Sequence, residues 1–156
     1  MTVKDSQPFQ VDTSNDVEKQ VTFLVVETRG ELYAVRWALV EEARVLLDGE
    51  IDFSTQPPEV HRNGHSFPLC YLWELVELSP PREKLTEVPA VFLEEGEGRM
   101  VLVPERILWR QEASIKELPS WLNRAPSVKG AIVLDSGVVV IVLEPLESES
   151  GNEEAK

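Results

Sequence analysis

Apolar residues in this chain come in short, often β-branched runs, each closed off by glycine, proline or charged residues. Such runs, too short for helices, read as short strands. Val21 to Val26 is the first; Thr28-Arg29-Gly30-Glu31 turns the chain, and Leu32 to Val35 returns it as a hairpin. Trp37 to Leu47 carries a mixed signal. Trp37, Val40, Arg44 and Leu47 fit a helical stripe, but the segment is short for a helix, so one helical turn near Ala38 and a strand around Glu42 to Leu46 are expected. Within Val60 to Phe67, Asn63-Gly64 is a strong hairpin signal that sets Arg62 opposite His65 and His61 opposite Ser66. Pro68 has no N–H to give a ladder, which limits the second strand to an edge or a strand end.

Leu72 to Leu78 reads as a short helical turn stopped by Ser79-Pro80-Pro81, and Val88 to Leu93 with Met100 to Val103 as a hairpin around Glu94 to Gly98. Lys116 to Leu122 is a short helix candidate. Ala131 to Leu134 and Val138 to Leu143 are joined by Asp135-Ser136-Gly137, where Gly137 fits the left-handed position that closes the turn. The total is about nine or ten short strands with few helical turns, the pattern of a sandwich or small barrels. A linker from Ser79 to Glu87 divides the strands into two comparable groups, suggesting two similar sub-barrels within residues 20–146. Residues 1–19 read as a flexible arm and 147–156 as an acidic, disordered tail.

Composition narrows the function classes. A chain of 156 residues is long enough to bury a real core and suits one domain. The formal charge of −13 disfavours nucleic acid, whose phosphates need lysine and arginine in excess, and an anionic membrane surface. Four acids and two lysines in 1–20, with four acids and one lysine in 147–156, account for only −5 of it, so the globule itself is acidic. Protein partners remain. A single cysteine, Cys70, excludes an internal disulfide and suits a reducing compartment. No apolar run is long enough to span a bilayer, and the N-terminus lacks the apolar core of a signal peptide, so a cytoplasmic protein is expected.

Candidate chemistry is sparse. His61 and His65, the only histidines, fall on opposite faces of their hairpin and are not expected to share a metal. Gly96-x-Gly98 lacks the third glycine and following helix of a nucleotide cradle. Glutamates such as Glu41-Glu42 and Glu94-Glu95 are abundant enough for pairs to arise by chance, and a small hydrolase built on carboxylates has no readable site. No catalytic, cofactor-binding or metal-binding residue is assigned. Of the four tryptophans, Trp37, Trp73, Trp109 and Trp121, most are expected in the core and one exposed.

Four segments, in order, resemble the CheW-like domain family of chemotaxis coupling proteins and the regulatory domain of the histidine kinase CheA. They are FLVVETRGELYAVRWALVEEARVL from Phe23, HRNGHSFPLCYLWEL from His61, RMVLVPERILWRQEASIKEL from Arg99 and WLNRAPSVKGAIVLDSGVVVIVLEP from Trp121. The resemblance implies an all-β fold of two small SH3-like five-stranded barrels around a shared hydrophobic seam, with short helical turns. It implies a non-catalytic scaffold that couples chemoreceptor cytoplasmic tips to the regulatory domain of a CheA-type kinase. The family's V-x-E element falls on Val40 and Glu42, which are expected at a protein interface. The arginine of its R-G element falls on Asn63, with Arg62 one place early, and both are candidate interface positions. IDFSTQPPEVHRNG is more similar to the kinase's regulatory domain than to free-standing coupling proteins. A degenerate module that binds another regulator, in a motility or transcription pathway, is the alternative.

Overall fold

The computed structural model describes residues 19–80, 87–117 and 127–146. The strands are β1 (Val21–Thr28), β2 (Glu31–Arg36), β3 (Val40–Leu46), β4 (Ile51–Asp52), β5 (Glu59–Arg62), β6 (His65–Tyr71), β7 (Val88–Glu95), β8 (Gly98–Val103), β9 (Arg106–Ala113), β10 (Val128–Val133) and β11 (Val139–Leu143). A 3-10 turn, Trp37–Leu39, leads into β3, another, Asp48–Glu50, leads out of it, and α1 is the single turn Leu72–Leu75. The mixed signal between Trp37 and Leu47 thus resolves as one helical turn and a strand. Arg29-Gly30 and Asn63-Gly64 both carry positive φ, the geometry of a two-residue hairpin turn.

Two sheets result, ordered β9-β1-β2-β11-β10 and β3-β7-β8-β6-β5-β4. The second carries one strand more than expected, the two-residue β4. Reading across each sheet, the neighbours run antiparallel, antiparallel, parallel, antiparallel. The two barrels are therefore built alike. Segregation of strands on either side of residues 79–87 is not what the structure shows: β1 and β2 share a sheet with β9, β10 and β11, while β3 to β8 form the other. The strands exchange because β3 leaves the first hairpin for the second sheet, and β9 leaves the β7–β8 hairpin for the first. Most of the linker itself lies outside the described residues.

Alternation explains the unbroken apolar runs. In β1, Phe23 and Val25 point into the first barrel with Ala34, Ile132, Val140 and Val142, while Leu24 and Val26 face the seam. In β7, Ala90 and Phe92 point into the second barrel with Leu46, Val60, Phe67 and Val101, while Val91 and Leu93 face the seam. Tyr33, Val35, Leu39, Leu72, Leu102, Leu143 and Leu146 complete this shared core. Both sheets are curled, and strands such as β1 and β7 are buried on both sides, which is the expected pair of SH3-like barrels on a common hydrophobic seam. At roughly 1.5–3 kcal/mol for each large side chain buried, the seam is a main source of cohesion between them.

Three local expectations change. Pro68 lies inside β6, at the place where pairing with β5 ends and pairing with β8 begins, so no continuous ladder needs its missing N–H. No strand was anticipated over Arg106–Ala113, yet β9 pairs with β1 and is bulged between Ile107 and Trp109. Lys116, expected to open a helix, instead bridges Ala131: each N–H donates to the other's carbonyl at 2.7 and 2.9 Å. The rest of that helix candidate, like the N-terminal arm to residue 18 and the tail from 147, lies outside the described residues.

Candidate functional site

The two barrels close differently, and the difference shapes the site. Lys116 joins the end of β9 to β10 by backbone hydrogen bonds, which closes the first barrel. Strand β3 ends the second sheet, pairs on one side with β7, and has no ladder to β5. Side chains span that gap. Arg62 Nε donates to Glu42 Oε1 at 2.9 Å, Arg44 Nε reaches Glu42 Oε2 at 3.0 Å, and Arg44 Nη1 reaches Glu50 Oε1 at 2.9 Å. Both guanidinium carbons, of Arg44 and of Arg62, lie 5.6 Å from the centre of the Phe92 ring. The four charges thus form a neutral chain over an aromatic floor, and the hydrogen bond from Arg62 holds the Glu42 carboxyl below its ordinary value.

A bulge decides which way β3 presents its side chains. Val40 pairs with Leu93 and Glu42 with Phe92, so the register slips at Glu41. Leu93 faces the seam and Phe92 the second barrel, so Val40 turns to the seam and Glu42 to the other face. Without the bulge, i and i+2 would share a face, as a V-x-E element read as one surface assumes. Val40 is half-buried against the shared core. On its side of the strand follow Ala43 and Val45, opposite Val91 and Pro89. Val45 is 45% exposed, and Leu47, one residue past the strand, is 69% exposed. The result is an apolar row running outward from the seam along an edge strand.

Of the four expected interface residues, Glu42 and Arg62 are brought together, Val40 is separated from them by the strand's own thickness, and Asn63 sits in the β5–β6 turn. Asn63 has φ 53°, a left-handed position that asparagine adopts readily and that Arg29, at φ 56°, also occupies in the β1–β2 turn. Arg62, one step earlier, points back to Glu42 instead. The residues missed were Ala43, Val45 and Leu47. Their alternation was present in the sequence, but only the bulge shows which face they occupy.

Elsewhere the surface offers less. Trp37 is 36% exposed and Trp109 41%, so two of the three described tryptophans reach the surface. The Arg110 guanidinium carbon lies 5.0 Å from the Trp37 ring centre, and Trp109 Nε1 donates to Gln111 Oε1 at 2.9 Å. Trp73 is half-buried and stacks on Tyr71, and Trp121 lies outside the described residues. His61 contacts Ser66 and Asp52, on the face away from His65. Among the described residues no cluster of three His, Cys, Asp or Glu could hold a metal, and no helix is long and apolar enough to cross a membrane. Burial pushes the Cys70 thiol up to about 11, with Glu74 adding to it.

Two β-barrels that exchange strands across a shared apolar seam, with an apolar row along one edge strand, make up the described structure. Residues 22–148 match the CheW-like domain, and the chain belongs to that family. The chemotaxis protein CheA of Salmonella typhimurium is 22% identical over 93 residues, which cover 60% of this chain and 14% of that protein. The chain therefore spans about a seventh of that relative's length. The crystal structure of the scaffolding protein TtCheW from Thermoanaerobacter tengcongensis is similar with a TM-score of 0.66 and 16% identity, covering 81% of this chain and 90% of that one. That likeness concerns the fold.

Proposed function

We propose that this chain is a non-catalytic scaffold of a chemotaxis-type signalling system. It couples receptors to a CheA-type histidine kinase through protein contacts, and the kinase's regulatory domain docks on the seam-facing side of β3. The observation that carries the reading is the row Val40, Ala43, Val45 and Leu47, apolar and open on the terminal strand of a sheet. Exposed edge strands with apolar side chains are where proteins of this size take partners. Family membership and the partial match to a CheA protein make that kinase the first partner to test. The receptor tip is the second.

The test is titration calorimetry with the regulatory domain of the CheA-type kinase from the same cell. Wild type is expected to bind. Val45→Asp, at a largely open position, is expected to keep its melting temperature and to lose about 2 kcal/mol or more of binding, as removal of a central anchor does. Val40→Asp is expected to lower the melting temperature, because Val40 packs on the shared core and a charge there is costly to desolvate. Unchanged affinity in folded Val45→Asp would sink the docking row. A wild type that ignores the kinase domain would sink the coupling role. In that event the second reading takes over, a module for another regulator in motility or transcription. It is favoured by Arg62, which is spent on Glu42.

A further inference from the structure

The geometry points to Glu42 and Arg62 acting on each other rather than on a partner: they form a latch that fastens edge strand β3 to β5, and they are positioning residues for docking on the strand's opposite face. This rests on the reading of β3 as the docking strand.

Three observations carry it. First, the latch stands where a ladder is missing. Strand β3 ends its sheet, and among the described residues the hydrogen-bonded link across to β5 is the 2.9 Å bond from Arg62 Nε to Glu42 Oε1. Second, both carboxylate oxygens of Glu42 are occupied, one by Arg62 and the other by Arg44, which in turn holds Glu50 in the turn that follows the strand. A partner's cation would have to displace an arginine already stacked on Phe92 to reach it. Third, the bulge at Glu41 turns Glu42 to the face opposite the apolar row, so a partner lying on Val40, Ala43 and Val45 does not meet Glu42. The latch fixes the lateral position and twist of β3, and with them the spacing of the row. An unlatched β3 would keep its bonds to β7 but swing on them, and the docking surface would lose its pre-set shape, which costs affinity through ordering on binding.

The experiment uses the full chain in four forms: wild type, Glu42→Gln, Arg62→Gln, and the charge exchange Glu42→Arg with Arg62→Glu. The exchange restores an opposite pair, now with the carboxylate at position 62 and Arg44 still within the cluster. Two quantities are read: the dissociation constant for the kinase regulatory domain, and amide hydrogen exchange at Ala43 to Leu46. Each single variant is expected to weaken binding roughly three- to tenfold, the scale of a half-exposed charged hydrogen bond, and to speed exchange along β3. The charge exchange is expected to bring both back to within about twofold of wild type, the mark of a pair that acts on itself. Persistently weak binding with β3 protection restored would mean that the two side chains contact the partner, which overturns the proposal. Single variants with unaltered binding overturn it too, whatever their hydrogen exchange, and so does a charge exchange that restores neither quantity. Should wild type fail to bind the kinase domain, the docking reading falls, while hydrogen exchange alone still decides whether the latch exists.

Discussion

Alanine at position 130 adds one methyl group to a place that has no room for it. An ideal Cβ there falls 2.5 Å from the carbonyl oxygen of Lys116 and 3.2 Å from Ile115 Cγ1. That oxygen accepts the Ala131 N–H at 2.9 Å, half of the bridge that closes the first barrel. Relief requires the β9–β10 closure to open by several tenths of an ångström, or the strain to be kept. Overpacking of this kind costs about 1–3 kcal/mol. Weakening two backbone bonds is of the same order, about 1 kcal/mol each. Against this stands the usual gain of about 0.4–1 kcal/mol when alanine replaces glycine and reduces the freedom of the unfolded chain. That gain is available here, because Gly130 lies outside the left-handed region. The net is about 2 kcal/mol of destabilisation, or a fall in melting temperature of about 4–8 °C at this chain length. Urea unfolding followed by tryptophan fluorescence, with calorimetry for the melting temperature, measures it. The two accounts of Gly130 differ in sign: if Gly130→Ala melts at or above the wild-type temperature, close approach is not why glycine is there, and the barrel does not depend on this contact.

Two further outcomes follow from the titrating groups. With its thiol pushed up to about 11 by burial, Cys70 should react with an aromatic disulfide at pH 8 roughly a hundredfold more slowly in the native protein than in urea; comparable rates would show that the site is open. Glu42 has a depressed folded pKa, so its contribution to stability is present above the ordinary value of 4.5 and is lost as pH falls through the lower folded value. The melting-temperature gap between wild type and Glu42→Gln should therefore stay constant from pH 7 to about 5.5 and narrow progressively as pH falls below 4.5, and a gap undiminished at low pH would locate the effect of residue 42 outside its charge.

Local chemistry was legible in the sequence and long-range pairing was not. Asn63-Gly64 and Gly30 announce their turns because glycine and asparagine take up positive φ most readily. Gly137, at φ 92°, does the same between β10 and β11. The helical turn before β3 could be separated from the strand because the segment from Trp37 to Leu47 is too short for a helix on periodicity alone. By contrast β9 went unseen. Its bulge at Ile107–Trp109 breaks the alternation, and as an outer strand it leaves Trp109 and Arg110 in solvent. The partition into sheets was misjudged for a related reason. Residues 79–87 look like a boundary, yet β9 pairs with β1 and β11 lies parallel to β2, matches that span most of the chain and leave no local signature. At the candidate site, the family resemblance drew attention to Val40, Glu42 and Arg62. Which of them touch depends on one extra residue in β3, and a bulge of that kind has no reliable mark in the amino-acid order.

The exchange of strands sets an order of events on the ribosome. All six strands of the second barrel lie between Val40 and Leu46 at one end and Gly98 and Val103 at the other, so they are complete once residue 103 has emerged. The first barrel then possesses only its opening hairpin and must wait for Leu143, a further 40 residues, to receive its parallel partner. At roughly 5–20 residues per second that interval lasts about 2–8 s, at or beyond the upper end of the milliseconds to seconds in which small barrels form. During it, Leu24, Val26, Tyr33 and Val35 can already settle on Val91, Leu93 and Leu102, the seam partners available to them. Phe23, Val25 and Ala34 cannot: their cover arrives only with Ile132, Val140 and Val142. The finished second barrel thus serves the nascent chain as a template for half of the first, and the other half is the surface that chaperones would meet.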